Sequence, residues 1–263
     1  MALNADCYAV FSYQDSEYDL RLAVCNDAAC TSPTLTTVDS IGDTGFYTSI
    51  VLNASVHPVI TFTDFTNSAL RLAVCSDATC TSPTLTTVDT SANEIGYPSV
   101  VLNANGFPVI SYVDEDTQEL KLAVCNDATC TRPTLTTVDR TSIDNYKSSI
   151  EMNANGFPVI AYGDGSDNLG LAVCNDATCT SPTLTTVDSS SIVFSYAAIA
   201  LNASGNAVIA YHDNDNSDLK LAVCNDATCT SHTLTTVDTS TIDINKTTIE
   251  IEQNGIHIIK KVQ

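Results

Sequence analysis

The stretch Leu122-Ala-Val-Cys-Asn-Asp-Ala-Thr-Cys-Thr131 occurs five times along the chain with few changes. Successive copies lie 50, 50, 49 and 50 residues apart and begin at Leu22, Leu72, Leu122, Leu171 and Leu221. Each copy runs into Thr-Leu-Thr-Thr-Val-Asp, which ends at Asp39, Asp89, Asp139, Asp188 and Asp238. So regular a period predicts a repeat architecture in which each unit buries its apolar face against its neighbours.

Each repeat contains four short segments with the composition of β-strands, which we name A to D in chain order. The best examples are strand A over 149–153 or 198–202, B over 108–112, C over 120–125 and D over 134–139. An Asn-Ala-Asn-Gly turn joins A to B, and Asn and Gly tolerate the positive φ that tight hairpins need. Four antiparallel strands in about 50 residues are typical of a β-propeller blade. The alternative, an open β-solenoid, usually has shorter coils.

The repeats fill the chain, which is therefore interpreted as one repeat domain over 1–263. The repeats are 1–45, 46–95, 96–145, 146–194 and 195–244, followed by a terminal half-repeat at 245–263. The prediction is an all-β propeller with five complete repeats and an extra A–B strand pair. A six-bladed ring whose last blade keeps only its inner strands is favoured over a five-bladed ring with a displaced or swapped pair. A piece of a longer array is the third possibility.

Ten of the eleven cysteines form five pairs with four residues between them. A repeated local pair predicts a disulfide that closes the C–D turn. Structural zinc needs four ligands, and each repeat offers only two cysteines with no histidine nearby, so a metal clip is disfavoured. The eleventh cysteine, Cys7, stands where other repeats have Gly106, Gly156 or Gly205, and it is either free or bonded to another chain. The predicted disulfides are Cys25–Cys30, Cys75–Cys80, Cys125–Cys130, Cys174–Cys179 and Cys224–Cys229.

The chain carries 31 acidic and 10 basic residues, a formal charge of −21. Such a surface repels nucleic acid and anionic membranes, so neither is expected as a partner. No apolar run reaches the ~18 residues of a transmembrane helix, so membrane insertion is not expected. Residues 1–6 lack the basic start and apolar core of a signal peptide. Because paired cysteines argue for export, we expect an extracellular or cell-surface protein whose leader has been removed.

The loop between strands B and C carries closely spaced carboxylates, most clearly Asp114 with Asp116 and Asp213 with Asp215. Ca²⁺ takes about six to eight oxygen ligands, so these pairs could supply part of a calcium site. The alternative is an Asx turn, in which an Asp bonds the backbone that follows it. The first Asp recurs in all five loops and the second does not, which favours the turn. No cofactor is required, and Ca²⁺ is the one that the sequence leaves open.

The C–D turn reads Asn-Asp-Ala-Thr-Cys-Thr with small variations, and its Asp falls at Asp27, Asp77, Asp127, Asp176 and Asp226. It resembles the Asp-box of bacterial sialidase-like propellers, and the repeat resembles those of secreted bacterial propeller arrays. The turn departs from the Asp-box in lacking its Gly and its terminal aromatic residue. In that family the Asp-box staples a turn and takes no part in catalysis. The resemblance therefore implies a propeller fold and no particular activity.

Aromatic and basic residues also recur. Rings end strand B or precede strand A, and they could line a sugar-binding face, although packing between blades with the hydroxyl in water is favoured. These rings are Tyr13, Phe62, Tyr112, Tyr162 and Tyr211 in the first set, and Tyr47, Tyr97 and Tyr196 in the second. Basic residues near the start of strand C predict salt pairing with the B–C loop, and Gly170 breaks the series. They are Arg21, Arg71, Lys121 and Lys220.

Nucleotide-binding, serine-hydrolase and zinc-protease motifs are absent from the sequence, and no repeat stands out as the special position that catalysis needs. The chain is therefore interpreted as a non-catalytic extracellular binding or adhesion module for a glycan or a protein, and not as an enzyme. The alternative is a structural subunit of an extracellular assembly, in which Cys7 and the surplus A–B strands join copies of the chain. A sialidase-like glycosidase is a distant alternative that requires a pocket joining two carboxylates at catalytic separation.

Overall fold

A computed structural model describes residues 1–92, 94–140, 147–190, 197–239, 244–252 and 255–262. All regular elements in these ranges are β-strands. The first sheet contains β1 (Ala2–Leu3), β2 (Ala9–Gln14), β3 (Leu20–Val24) and β4 (Thr34–Asp39). The second contains β5 (Phe46–Leu52), β6 (Pro58–Asp64), β7 (Ala69–Cys75) and β8 (Pro83–Asp89). The third contains β9 (Ile95–Leu102), β10 (Pro108–Asp114), β11 (Glu119–Val124) and β12 (Thr134–Asp139).

The later repeats build two further sheets and a strand pair. The fourth sheet contains β13 (Ser149–Met152), β14 (Pro158–Gly163), β15 (Leu169–Val173) and β16 (Thr183–Asp188). The fifth contains β17 (Ala198–Leu201), β18 (Ala207–Asp213), β19 (Asp218–Cys224) and β20 (His232–Thr239). The pair consists of β21 (Ile244–Glu252) and β22 (Gly255–Val262). No helix in the described ranges is long and apolar enough to cross a membrane.

The strands of each four-stranded sheet follow one another in chain order. Five such sheets and the β21–β22 pair make an all-β fold of the multi-bladed β-propeller class. The prediction of five complete A–D repeats with an extra A–B pair is therefore confirmed. The number of blades that a ring would contain stays a prediction.

The backbone divides into two compact units. The first comprises residues 1–116 and 123–135, and the second comprises 117–122 and 136–263. Within the first unit, the first strands of neighbouring sheets lie side by side, since β5 contacts both β1 and β9. Within the second unit, β17 contacts both β13 and β21 in the same way. The interpretation of 1–263 as a single domain stays a prediction.

Within each unit, the core lies between neighbouring sheets. Alternating apolar residues on strands A, B and C give each sheet a buried face toward its neighbour. Residues of the first and second sheets form one cluster, exemplified by Leu22, Val38 and Phe62. In the second unit, residues of the fourth and fifth sheets form another, exemplified by Leu171 and Ile209. Because each sheet buries its apolar face against a neighbouring sheet, a single repeat on its own would leave that face exposed to water.

Candidate active site

The C–D turns are closed by the five predicted disulfides, which are confirmed. All five pairs have Cα–Cα distances of 4.7 or 4.8 Å, and they join Cys25 to Cys30, Cys75 to Cys80, Cys125 to Cys130, Cys174 to Cys179 and Cys224 to Cys229. The second cysteine of each pair holds a positive φ, between 53° and 58°. Five disulfides fit an extracellular or secreted protein.

The Asp of each C–D turn is a structural staple. Asp127 Oδ1 accepts a hydrogen bond from the Thr129 N–H at 2.9 Å, and its Oδ2 accepts one from the Thr131 hydroxyl at 2.6 Å. These hydrogen bonds, led by those from the two threonine hydroxyls, lower the pKa of Asp127 to about 2. A carboxylate held this firmly in its charged form is unsuited to proton transfer near neutral pH.

The acidic B–C loops form turns. Asp213 is buried, and its Oδ2 lies 2.8 Å from the Lys220 ammonium nitrogen. Asp114 is also buried, whereas Asp116 and Asp215 are exposed. No group of three or more His, Cys, Asp or Glu residues within the described ranges is placed to hold a metal ion. Calcium binding at these four residues stays a prediction.

The aromatic ring that ends strand B ties its sheet to the preceding one. Three buried tyrosines donate their hydroxyls to the Asp that ends strand D of that sheet, and burial and then this hydrogen bond raise each phenol's pKa. The predicted packing is present, but these hydroxyls reach carboxylates rather than water. Tyr196, of the second aromatic set, lies outside the described residues. The pairs are Tyr112–Asp89 at 2.7 Å, Tyr162–Asp139 at 2.6 Å and Tyr211–Asp188 at 2.6 Å.

In the second sheet, Phe62 stands where the later sheets have a tyrosine, and Arg71 links this sheet to the first one instead. Its Nη1 lies 2.6 Å from Asp39 Oδ2 and 3.3 Å from Asp64 Oδ2. The guanidinium carbon also lies 5.6 Å from the centroid of the Phe62 ring, within cation–π range. The predicted pairing of strand C with the B–C loop is observed at Arg21–Asp15, Arg71–Asp64 and Lys220–Asp213.

The first strand of the fourth sheet breaks the repeat. In β5, β9, β13 and β17, the residue one position before the end of the strand pairs with a valine of the following strand. In the second, third and fifth sheets this residue is aliphatic, and in the fourth sheet it is a glutamic acid. The four residues are Val51, Val101, Glu151 and Ala200.

Glu151 faces the strand that begins the next sheet. The Ser149 hydroxyl, two residues earlier in β13, accepts a hydrogen bond from the Ile199 N–H of β17 at 3.2 Å. Side chains two residues apart on a strand point to the same face, so Glu151 points toward β17 as well. Its counterpart Val51 packs against the core cluster that the second and third sheets share. Glu151 therefore places a carboxyl group where the fold otherwise places an aliphatic side chain.

Burial raises the pKa of Glu151 above its usual value of 4.5, and a hydrogen bond from the Met152 N–H offsets part of the shift. Desolvation disfavours the charged form of a carboxyl group, so the proton is retained to higher pH. Such a group can donate a proton under conditions in which an ordinary Glu is ionised. Glu151 thus combines partial burial, a raised pKa and a position that is aliphatic in β5, β9 and β17.

Cys7 is exposed and forms no disulfide within the chain. Its φ of 61° matches the turn position that Gly106, Gly156 and Gly205 occupy with φ of 74° to 77°. Its pairing with a second chain stays a prediction.

Comparisons with known proteins support the fold. No protein-family model and no curated protein matches the sequence. An arginine-to-alanine mutant of AofleA from Arthrobotrys oligospora has a TM-score of 0.67 and 11% identity, covering 100% of this chain and 78% of that one. A Hadza microbial sialidase has a TM-score of 0.61 and 12% identity, with coverages of 94% and 59%. A thermostable family-43 glycoside hydrolase has a TM-score of 0.53 and 13% identity, covering 87% of each chain.

These neighbours overturn the interpretation as a non-catalytic binding or adhesion module. They are mostly propeller glycosidases, although identities this low show the fold alone. The prediction was wrong because it treated a repeated sequence as evidence against catalysis. A propeller needs only one position that departs from its repeats to hold a reactive group, and Glu151 is such a position. Nor do the neighbours support the prediction that the chain is not an enzyme, since they include enzymes.

Glu151 is part of no recognised sequence motif, and the sequence analysis therefore did not predict it as a site residue. The signal that could have found it is the alignment of the first strands, where Ser-Ile-Val-Leu and Ser-Val-Val-Leu become Ser-Ile-Glu-Met at 149–152. The Asp-box likeness of the C–D turn remains a resemblance. What the structure shows there is a stapled, disulfide-closed turn.

Proposed function

We propose that the chain is an extracellular glycoside hydrolase in which the Glu151 carboxyl group protonates the glycosidic oxygen. The observation that supports this proposal is the desolvated carboxyl group of Glu151 on the first strand of its sheet, where Val51, Val101 and Ala200 stand in other sheets. A general acid in a glycosidase needs a raised pKa, and desolvation supplies it here. The glycosidase neighbours share the fold and thereby make the assignment chemically reasonable.

Glycoside hydrolysis usually needs a second carboxylate, as nucleophile or as the base that activates water. The terminal half-repeat offers one by position. In the sequence Thr-Ile-Glu-Ile at 248–251, Glu250 corresponds to Glu151 in Ser-Ile-Glu-Met. Glu250 lies in β21, which contacts β17, the strand that also contacts β13. We assign Glu250 as the candidate partner of Glu151 on this correspondence alone.

The charge of the chain favours an uncharged glycan as substrate. A net charge of −21 repels an anionic sugar such as a sialic acid. A sialidase would also use a cluster of arginines to hold the substrate carboxylate, and this chain has four arginines in all. Three of them are already paired, Arg21 with Asp15, Arg71 with Asp39 and Asp64, and Arg140 with Glu119. The sialidase-like reaction is therefore the less favoured form of the proposal.

The test is hydrolysis of a panel of nitrophenyl glycosides and neutral oligosaccharides by the wild-type chain and by Glu151→Gln. The wild type should release product from at least one substrate, and Glu151→Gln should lower that rate by roughly 100-fold or more, as expected for loss of a general acid. Glu17→Gln, at an exposed loop glutamate, is the matched control and should leave the rate unchanged. Absence of wild-type activity across the panel, or full activity of Glu151→Gln, would overturn the proposal.

Exposure of Cys7 favours a second candidate function, a subunit of an extracellular assembly linked by disulfides between copies of the chain. Oxidised wild type should run as a dimer in a denaturing gel without reductant, and Cys7→Ser should run as a monomer. Monomeric wild type with one titratable thiol would exclude this linkage.

A further inference from the structure

Five aromatic side chains of the first compact unit contact one another in a continuous row at its surface. Tyr18 stacks on Phe46 with ring centroids 6.0 Å apart, and Phe46 meets Phe65 edge-on at 4.3 Å. Tyr47 lies 6.0 Å from Phe65 and 3.9 Å from Tyr97. Tyr18 is 51% exposed, and the other four rings are half-buried. We name this set the aromatic platform.

The three tyrosines of the platform hold a left-handed backbone conformation, with φ of 65° at Tyr18, 49° at Tyr47 and 51° at Tyr97. This region is unfavourable for bulky residues. Tyr47 and Tyr97 both lie in β-bulges. Residues 47–48 of β5 stand opposite one residue of β6, and residues 97–98 of β9 stand opposite one residue of β10.

Glycine is the residue that suits a left-handed position in a bulge, and bulges re-aim the side chain that they carry. A tyrosine in that position costs backbone energy that glycine would avoid. Strained backbone of this kind is concentrated at binding and catalytic sites. This backbone strain occurs at two equivalent bulges, and the two tyrosine rings that the bulges carry lie 3.9 Å apart. We infer that the rings have a role that glycine could not fill.

Two acidic residues lie next to members of the aromatic platform. The Glu115 side chain lies against Gly96, the residue before Tyr97, where an added Cβ would overlap its Oε1. The Asp43 carbonyl accepts a hydrogen bond from the Phe65 N–H at 2.9 Å, so the backbone of Asp43, an exposed acidic residue, lies beside the aromatic platform. Acidic residues at this place, on a chain with a net charge of −21, repel anionic ligands.

We propose that the aromatic platform binds an uncharged glycan, with pyranose rings stacked on Tyr18, Tyr47 and Tyr97. Tyrosine offers a large apolar face with a polar edge, which matches a sugar ring that has an apolar C–H face and a rim of hydroxyls. The acidic residues beside the platform disfavour nucleic acid, anionic lipid and sialylated glycans. The platform does not rest on the hydrolase proposal, because it is built from residues of the first unit and uses none of the residues assigned to catalysis.

Affinity electrophoresis in native gels tests the platform. The gels contain soluble β-glucan, xylan, galactan or galactomannan, with alginate as the polyanionic comparison. All proteins carry Glu151→Gln, so that hydrolysis cannot consume the ligand. Tyr47→Gly and Tyr97→Gly are the test variants, because glycine suits the bulge backbone and preserves the fold. Tyr8→Ala, at a half-buried tyrosine outside the platform, is the matched control.

The parent protein should be retarded by at least one neutral polysaccharide and not by alginate. Each glycine variant should bind that polysaccharide about tenfold more weakly or worse, and Tyr8→Ala should bind like the parent. Near-ultraviolet circular dichroism and melting temperature check that the variants are folded. Equal retardation of parent and glycine variants, retardation by alginate alone, or no retardation by any neutral polysaccharide would overturn the proposal. Retardation without hydrolysis by the wild-type chain would retain the platform and remove only the hydrolase.

Discussion

Val56 occupies a backbone conformation that suits glycine. Its φ is 61°, in the A–B turn where three other repeats have Gly106, Gly156 and Gly205. Left-handed backbone costs an L-residue roughly 1–2 kcal/mol, and a β-branched side chain makes it less favourable still. At the three glycines no atom lies within 4 Å of an added Cβ, so the backbone and not space selects glycine there.

Val56→Gly should therefore stabilise the fold, by about 1 kcal/mol after loss of the half-buried side chain. Chemical denaturation monitored by circular dichroism measures the change in the free energy of unfolding. Ala54→Gly, in the same turn but outside the residues with positive φ, is the control and should destabilise. Destabilisation by both variants would show that Val56 contributes more by packing than it costs in strain.

Glu151 should make the stability of the chain depend on pH. Burial raises its pKa above 4.5 in the folded state, so the native state binds the proton more tightly than the unfolded state does. Stability from this group is therefore fully present at low pH and is lost as pH rises from about 4.5 through the folded pKa. Glu151→Gln removes this loss, so the variant should be the more stable protein at neutral pH.

Melting temperatures of wild type and Glu151→Gln between pH 4 and pH 8 check this prediction. The gain from the substitution should widen as pH rises. Glu17→Gln, at an exposed residue, should show no such trend. A constant difference across the range would mean that the Glu151 carboxyl group is not desolvated.

At the scale of the element, the C–D turn owes its shape to the Asp staple as well as to its disulfide. The Thr131 and Thr129 hydroxyls lower the pKa of Asp127 to about 2. The stability that the ionised carboxylate contributes is present above its unfolded pKa of 3.8 and is lost as pH falls toward 2. Asp127→Asn should therefore lower the melting temperature at pH 7, and the difference from wild type should shrink between pH 4 and pH 2.

Asp6→Asn, at an exposed Asp in an A–B turn, is the control and should change the melting temperature little at either pH. If the effect of Asp127→Asn did not depend on pH, the staple would act through shape alone and not through its charge.

The strands were largely predictable because the residue types of each segment and their recurrence along the chain indicate the same strands. Strand D was predicted over 134–139 and is observed as Thr134–Asp139. Strand B was predicted over 108–112 and extends to Asp114, because it continues to pair with β9 beyond a bulge. A bulge sets two residues against one and interrupts the alternation that the prediction relied on. The bulges that carry Tyr47 and Tyr97 could not be read from the sequence for the same reason.

The site was less predictable than the strands. Repeated residues proved structural: Asp127 staples a turn, Tyr112 bonds to Asp89, and Arg71 bridges two carboxylates. Glu151 stands where β5, β9 and β17 carry an aliphatic residue, and its raised pKa depends on burial that only packed sheets provide. The repeated residues therefore identify the structural scaffold. The candidate catalyst, Glu151, is a residue that differs from its counterparts in the other four-stranded sheets.

At the scale of whole sheets, Arg71 holds two carboxylates of neighbouring sheets together. Removing one member of a largely buried ionic group leaves uncompensated charge, which typically costs about 3–5 kcal/mol. Arg71→Met should therefore destabilise the chain by about 3 kcal/mol, with the loss measured by chemical denaturation. Adding Asp39→Asn to Arg71→Met should recover part of it, because burial raises the pKa of Asp39 and disfavours its charge. A double variant no more stable than Arg71→Met would contradict this account of the junction.

Glu151 is the proposed catalytic acid of this repeat fold. The most direct measurement compares Glu151→Gln with wild type on two glycosides of the same sugar, one with a phenol and one with a dinitrophenol leaving group. A poor leaving group needs the proton of a general acid and a good one does not. The proposed role of Glu151 predicts a loss of roughly 100-fold or more on the phenyl glycoside and little loss on the dinitrophenyl glycoside. Equal losses on the two substrates, or no loss on either, would contradict it.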